Sequence, residues 1–299
     1  MKLAITGATG WLGKNFVEQF LKSEFYDNKN EIRLFASSSK QVTFNSKVFN
    51  VYKLSLPNLL EFNPTHLIHL AFIIYDETLS LEKYIQLNSD IILNITNFLE
   101  HSDVKKIIFL GSGIENFDLI SYKKRKYSEL KKKESDAIIN VCKKKNIDFN
   151  KLIVWNCSGR HSKNFQEYFF LDFINKAQKN LPIEINSSHR VFRSFVSACN
   201  IAEIGIKLLK KNGPKFITCS TTKKIEIEEF AHRVVNLLHS TSKISRPSSD
   251  SFKEDEMYFP TNSNFHEIAT ELNVKILSLD EQIILTSEYL MECATSDSN

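Results

Sequence analysis

Three side chains near the middle of the sequence can together move a proton. Ser112 follows the apolar run Ile107-Ile108-Phe109-Leu110-Gly111, and two overlapping Tyr-x-x-x-Lys pairs come after it, Tyr122/Lys126 and Tyr127/Lys131. A spacing of four residues puts phenol and ammonium on one helix face. A free phenol, with a pKa of about 10, is a poor proton carrier at neutral pH. A neighbouring ammonium stabilises the phenolate and lowers that pKa. The tyrosine can then give a proton to a substrate oxygen or take one from it, and a serine hydroxyl at the strand end can share that oxygen. In a lysine-rich stretch such pairs are common, and either can be a plain solvated helix face. The order of elements sets them apart: a glycine turn first, the serine after a later strand, then the pairs.

The glycine turn opens the chain. In Lys2-Leu3-Ala4-Ile5-Thr6-Gly7-Ala8-Thr9-Gly10-Trp11-Leu12-Gly13 a short apolar run reads as a buried strand. An amphipathic stretch follows, with Phe16, Val17 and Phe20 on one face. Strand, glycines and helix start come in the order a dinucleotide site needs. Gly7 permits a tight turn, Gly10 lets the backbone approach a pyrophosphate, and Gly13 lets the helix pack close to the strand. The free N–H groups and the positive dipole end of the helix then face the phosphates.

The remaining composition narrows the classes. With 299 residues and 42% hydrophobic content the chain can bury one large core or two modest ones. A net charge of +4 is too mild to argue for nucleic acid. Cys142, Cys157, Cys199, Cys219 and Cys293 are odd in number, scattered and without a Cys-x-x-Cys pair. They suit reduced thiols in the cytoplasm better than a disulfide frame or a metal site. The chain is expected to carry no signal peptide and no membrane span. Lys123, Lys124, Arg125, Lys126, Lys131, Lys132 and Lys133 crowd into eleven residues, but Glu129, Glu134 and Asp136 are interleaved. A solvated helix face with internal pairing is the expected reading.

Apolar strands alternate with helices through the first half. Strands are expected at 2–6, 31–36, 48–54, 65–71, 105–111 and 150–155, and helices at 12–23, 80–100 and 122–145. That pattern predicts an α/β fold with a parallel sheet covered on both faces. Beyond residue 157 the alternation turns irregular. A helix at 163–179, strands at 182–186, 190–196 and 215–219, and helices at 199–211 and 226–239 suggest a smaller lobe woven onto the sheet. The expected division is 1–157, with 190–220 returning to it, against 158–189 and 221–299. The polar stretch 240–254 is the expected flexible segment. A ligand is expected in the crevice at the carboxyl ends of the strands.

With these residues in place the chain resembles the extended short-chain dehydrogenase/reductases, the NAD-dependent epimerase/dehydratase group acting on nucleotide sugars. Thr6-Gly7-Ala8-Thr9-Gly10-Trp11-Leu12-Gly13 is similar to the group's TGxxGxxG, and His69-Leu70-Ala71 to its HLAA strand end. Asn88 with Asn97-Phe98-Leu99-Glu100 is similar to its N…NLLE helix. Ile108-Phe109-Leu110-Gly111-Ser112 resembles the strand that ends in the catalytic Ser/Thr, and the segment from Leu152 to Gly159 resembles LRPFNVYG. The segment from Arg193 to Glu203 resembles RDFIHVDDVAE, although Ala198, Cys199 and Asn200 stand where that motif has its aspartates. Weaker likenesses lie at Thr261-Asn262-Ser263 and Leu279-Asp280-Glu281.

The resemblance implies a Rossmann-type doubly wound parallel sheet with a smaller C-terminal substrate-binding lobe. It implies Ser112, Tyr127 and Lys131 as catalytic residues, because counting back from the LRP-like strand selects Tyr127 over Tyr122. In that reading Lys131 lowers the pKa of Tyr127 and holds the nicotinamide ribose. Cofactor contacts are implied at Gly7, Thr9, Gly10, Trp11, Leu12, Gly13, Leu70, Ala71, Asn88 and Lys131. Ser112, Asn156 and Arg193 are implied for the substrate, Arg193 at the diphosphate, with no metal. Strand two ends in Leu34-Phe35-Ala36-Ser37-Ser38-Ser39-Lys40. No carboxylate is there to accept the ribose hydroxyls of NAD, while Ser37, Ser38 and Lys40 can receive a 2′-phosphate, so NADP is expected, with NAD the alternative. Dehydratases of the group carry Asp-Glu directly after the catalytic Thr, whereas Gly113-Ile114 follow Ser112 here. The expectation is therefore reduction of a 4-keto-6-deoxy nucleotide sugar with NAD(P)H, in surface-polysaccharide sugar biosynthesis. A nucleotide-sugar epimerase and a non-catalytic dinucleotide sensor are the alternatives. A homodimer through the helices at 80–100 and 122–145 is expected, with no nucleic-acid or membrane partner.

Overall fold

The structure is a computed structural model that describes residues 1–27, 29–116, 122–162, 168–221, 223–248 and 254–296. Strand β1 (Lys2–Thr6) leads through the glycine turn into α1 (Trp11–Lys22). There follow β2 (Glu31–Ala36), β3 (Lys40–Phe44), β4 (Lys47–Lys53), α2 (Leu56–Phe62), β5 (His66–His69), α3 (Leu81–His101), β6 (Lys106–Ser112), a 3₁₀ turn (Gly113–Asn116), α4 (Tyr122–Lys145) and β7 (Asp148–Val154). Next come β8 (Cys157–Ser158), α5 (Phe169–Gln178), β9 (Ile183–Glu184), β10 (Val191–Arg193), β11 (Val196–Ser197), α6 (Ala198–Leu208) and β12 (Phe216–Cys219). The chain closes with β13 (Ile225–Glu226), α7 (Ile227–Leu237), β14 (Ile244–Ser245), β15 (Glu256–Tyr258), α8 (Phe265–Glu271) and α9 (Leu279–Ser296).

Two compact units result, one of residues 1–153 with 202–217, the other of 154–201 with 218–299. The first is built on an eight-stranded sheet in the order β12-β7-β6-β5-β1-β2-β4-β3. The pairs β1–β2, β1–β5, β5–β6 and β2–β4 run parallel, and the β3–β4 hairpin at the edge is antiparallel. This is the Rossmann-type doubly wound sheet expected from the alternation. Ala4, Leu67, Ile107 and Phe109 point from the strands into a cluster with Phe62 of α2, Ile95 and Phe98 of α3, and Ile138 and Val141 of α4. Each such side chain contributes roughly 1.5–3 kcal/mol by leaving water. Phe16 of α1 is fully buried, and a Cβ on Gly205 of α6 would stand 2.5 Å from its ring. Gly205 is what admits that ring.

The second unit has its own core. Phe170 of α5 stacks on Phe230 of α7 at 4.9 Å, and Phe195 lies 5.4 Å from Phe230. Around it are three small sheets, β13-β10-β15, β11-β8 and β14-β9. The helix expected over 163–179 is described from Phe169; residues 163–167 lie outside the described residues. Within the stretch 240–254, β14 pairs with β9, while residues 249–253 lie outside the described residues. No described helix is long and apolar enough to cross a membrane. Among the described residues no His/Cys/Asp/Glu group could hold a metal ion.

Candidate functional site

Parallel register brings the first polar pair together. Thr6, the last residue of β1, lies beside His69, the last of β5. Between β1 and α1 the chain reverses at Gly7, whose φ of +68° an L side chain rarely adopts. A Cβ there would stand 2.7 Å from the Leu70 and Ala71 backbone, so strand end β5 packs directly on the turn. A Cβ on Gly13 would come within 2.0 Å of the Gly7 carbonyl oxygen. Gly10 caps α1 with no side-chain hydrogen bond, and its Cβ would meet only the Gly7 oxygen, at 3.2 Å. The turn is therefore closed at Gly7 and Gly13 and open at Gly10. An open backbone ahead of a helix N-terminus fits a pyrophosphate, so the residues present suit a dinucleotide. Thr9, Trp11 and Leu12 form the rest of this rim and keep part of their surface exposed.

Ser37, Ser38 and Lys40 are exposed beyond β2. Lys40 already belongs to β3, paired with Val51 of β4, while Ser39 Oγ accepts the Lys53 N–H at 3.1 Å. No carboxylate stands in this turn. Asn88 is fully buried, and both ends of its amide tie down the segment after β5: Oδ1 accepts the Ile73 N–H at 2.9 Å, and Nδ2 donates to the Ile73 and Tyr84 carbonyls at 3.1 and 3.2 Å. Asn88 thus fixes the loop beside the turn.

Burial pushes the Tyr127 phenol up to about 12; the neighbouring Ser112 hydroxyl pulls it down, and Glu134 and Glu115 push it further up. The sequence implied the opposite direction; burial is the largest cause of the difference, and Lys131 is engaged with other partners. Its Nζ sits 2.5 Å from Glu134 Oε2 and donates to the Leu110 carbonyl at 3.0 Å. It also lies 4.4 Å over the Phe72 ring, and the edge-to-face partner of that ring, at 5.5 Å, is Tyr127. The ammonium is thus paired with a buried carboxylate.

Glu134 is 1% exposed. Burial pushes its carboxyl up, but Lys131 and His69 outweigh that and the net shift is down, which keeps it ionised. Its Oε1 lies 3.2 Å from His69 Nε2, and His69 Nδ1 lies 2.7 Å from Thr6 Oγ1. Thr6 Oγ1 also accepts the Leu70 and Ala71 N–H groups at 3.2 and 3.4 Å. A His69 protonated on Nε2 satisfies every partner in this chain. The glycine turn and Lys131 are thereby joined through buried hydrogen bonds.

A second buried pair supports Ser112 from the other side. Glu115 Oε1 accepts the Ser112 N–H at 2.7 Å, and Oε2 lies 2.5 Å from Lys151 Nζ. Lys151 reaches it across Gly111, where a Cβ would stand 2.2 Å from Cε of Lys151. Reading the sequence singled out none of Glu115, Lys151 or Glu134 for the site. Glu134 carried a signal, three residues after Lys131 on one helix face; Glu115 and Lys151 are far apart in sequence and meet only in the fold.

In the second unit, Asn156 Nδ2 donates to the Ser194 and Tyr258 carbonyls at 3.0 and 3.3 Å. Arg193 is ion-paired with Glu256 and donates to the Phe192 carbonyl at 2.9 Å. Both expected substrate residues thus have partners within the chain. Beside Arg193 a cavity of about 520 Å³ is lined by Ser194, Thr221, Lys224, Phe259, Ser263 and His266, among others. The side chain of Tyr122 lies outside the described residues.

A sequence model described as the NAD dependent epimerase/dehydratase family matches residues 3–220. In three dimensions the chain is similar to UDP-glucose 4-epimerase from Thermotoga maritima, with a TM-score of 0.76 at 16% identity over 98% of this chain and 100% of that one. It is likewise similar to a GDP-L-fucose synthetase from Naegleria fowleri bound to NADP, with a TM-score of 0.73 at 15% identity over 98% and 93%. UDP-glucose 4-epimerase from Thermus thermophilus, solved with NAD, gives 0.74 at 15% identity over 97% and 99%. No curated protein matches the chain in sequence.

Proposed function

Because the chain belongs to the NAD dependent epimerase/dehydratase family, we propose that it is an NAD(P)H-dependent oxidoreductase that reduces a 4-keto-6-deoxy nucleotide sugar, with Tyr127 as proton donor. The observation that carries this reading is the buried chain Lys131–Glu134–His69–Thr6, which ties the helix bearing Tyr127, the phenol that neighbours Ser112, to the open glycine turn of the same unit. A dinucleotide sensor has no use for such a proton-transfer pair. We assign the first unit to the dinucleotide and the second to the nucleotide sugar.

Gly10 and the first turn of α1 would receive the pyrophosphate, and Ser37, Ser38 and Lys40 the adenosine ribose with a 2′-phosphate. The dinucleotide, when bound, exchanges a hydride with the sugar carbon. Ser112 orients the carbonyl through its hydroxyl, with its backbone held by Glu115. Tyr127 delivers the proton to the oxygen as negative charge develops there. Arg193 would meet the diphosphate by exchanging its Glu256 partner for phosphate, which offers the same bidentate geometry. The cavity offers Ser194, Thr221, Lys224 and His266 to the polar groups of a nucleotide sugar.

The turn without a carboxylate after β2 favours an exchangeable NADP over a permanently held NAD, and hence reduction over epimerisation. The test is a panel of 4-keto nucleotide sugars with NADPH, followed by nicotinamide absorbance. Consumption with at least one sugar is expected. Cofactor absorbance in the protein as purified, with no net consumption, would instead identify an epimerase. A homodimer through α3 and α4 belongs to the same reading, and a single-chain mass in sedimentation would remove it.

A further inference from the structure

We propose that Glu115 is a positioning residue: pinned by Lys151, it holds the peptide of Ser112 so that the Ser112 hydroxyl keeps one aim. The inference rests on Ser112 orienting the carbonyl in the proposed reaction. Ser112 ends β6, and its N–H is accepted at 2.7 Å by Oε1 of Glu115, a side chain of the turn that follows. The other carboxylate oxygen lies 2.5 Å from Lys151 Nζ on β7. Lys151 has room to reach it because Gly111 lacks a side chain: a Cβ there would stand 2.2 Å from Lys151 Cε and 2.9 Å from Glu115 Oε1. The same turn touches both halves of the proton-transfer site. The Ile114 N–H donates to Ser112 Oγ at 3.4 Å, and Ser128 Oγ, next to Tyr127 on α4, donates to the Ile114 carbonyl at 2.9 Å. With one lone pair accepting from Ile114, the Ser112 hydroxyl keeps its hydrogen for a substrate oxygen.

Stability does not account for this pair. Glu115 and Lys151 are both buried. Taking two charges out of water costs about as much as their attraction returns, and well-packed apolar residues of similar volume are often as stable or more so. What an apolar pair lacks is an acceptor for the Ser112 N–H. Without that acceptor the N–H must turn toward water or another group, and the Ser112 side chain turns with its peptide. A displacement of about 1 Å at a reacting group can lower a rate on the order of a hundredfold. The buried carboxylate thus serves as a fixed acceptor, and Lys151 keeps it fixed and ionised.

The test compares two charge-free double variants of the whole protein with wild type. Lys151→Met with Glu115→Gln removes both charges and keeps a carbonyl oxygen for the Ser112 N–H. Lys151→Met with Glu115→Leu removes the charges and the acceptor together. Turnover is followed with NADPH and dTDP-, UDP- and GDP-linked 4-keto-6-deoxyhexoses. The leucine-bearing variant is expected to lose about 10- to 100-fold in kcat, with KM and NADPH affinity within about threefold of wild type. The glutamine-bearing variant should recover at least about tenfold of that loss, although it is the less stable of the two. Equal kcat in the two variants, or kcat that follows their melting temperatures, overturns the proposal. Amide hydrogen exchange at Ser112 needs no turnover. It should be slow in wild type and at least about tenfold faster in the leucine-bearing variant; equal protection also overturns the proposal. No turnover of any of these sugars by wild type removes the reductase reading and leaves the exchange measurement to decide this inference. Where leucine at position 115 prevents folding, Glu115→Ala frees the same N–H and takes its place.

Discussion

Replacing Gly10 by alanine separates the fold of the glycine turn from its use. At Gly10 φ is −77°, ordinary for any residue, and the new Cβ meets only the Gly7 oxygen at 3.2 Å. A shift of a few tenths of an ångström relieves that contact, and alanine gains up to about 1 kcal/mol by restricting the unfolded chain. The melting temperature should therefore stay within about 3 °C of wild type. The methyl, however, stands on the open side, where main-chain N–H groups must come within hydrogen-bond distance of a phosphate. Losing one or two charge-assisted bonds of about 1.5 kcal/mol each weakens binding roughly 10- to 100-fold. Gly13→Ala is the contrasting control: its Cβ falls 2.0 Å from the same oxygen, against 3.4 Å for ordinary contact, so α1 must move by 3.4 − 2.0 = 1.4 Å. Such overpacking costs roughly 1–3 kcal/mol and several degrees of melting temperature. Calorimetric titration with NADPH and NADH, beside scanning calorimetry, reads both effects. If Gly10→Ala binds both dinucleotides as tightly as wild type, the open cradle is not where the pyrophosphate sits.

Other expectations concern single groups. Tyr127→Phe should lower kcat by about 10²- to 10⁴-fold while Tyr122→Phe leaves it within a few-fold; the reverse pattern moves the catalytic assignment. Lys151→Met strands a buried Glu115 and should cost about 3–5 kcal/mol, whereas Lys151→Met with Glu115→Leu should recover most of it, as equilibrium denaturation can show. Burial, helped by the chain's N-terminal ammonium, Lys106 and Lys105, lowers the His66 imidazole from 6.5 to about 4. The unfolded chain then takes up this proton first, so the stability it contributes is complete above pH 6.5 and is lost as pH falls toward 4. His66→Gln should flatten the melting-temperature profile across that window, and an unchanged slope would show that His66 is not its cause. Lys40→Glu should weaken NADPH at least tenfold relative to NADH by placing a carboxylate against a 2′-phosphate; equal losses for both would place selectivity elsewhere.

Periodicity carried most of the first unit into view. Continuous apolar runs such as 107–110 read as strands buried on both faces, and the limits of α1, α3 and α4 fall within a residue or two of their patterns. The edge strand β3 escaped because Lys40-Gln41-Val42-Thr43-Phe44 has one buried residue, and an antiparallel hairpin is foreign to the expected alternation. α2 escaped because seven residues containing Pro57 give too short a period to read. At the site, Ser112 and the two Tyr-x-x-x-Lys pairs were legible from order and spacing, and the resemblance selected Tyr127 with Lys131. The direction of the tyrosine's acidity was not, because it depends first on burial, and Lys131 takes another partner. That partner is Glu134 on its own helix, itself bonded to His69, 65 residues away. Asn156 and Arg193 were legible as residues, but their present partners, Tyr258 and Glu256, come from a strand too short to recognise.

The most direct test of the account is the rate of NADPH consumption with a 4-keto-6-deoxy nucleotide sugar, measured side by side in wild type and Tyr127→Phe. The account predicts turnover in wild type, with at least about a hundredfold loss in the variant at unchanged dinucleotide affinity. Equal rates in the two proteins, or none in either while NADPH binds, would contradict it.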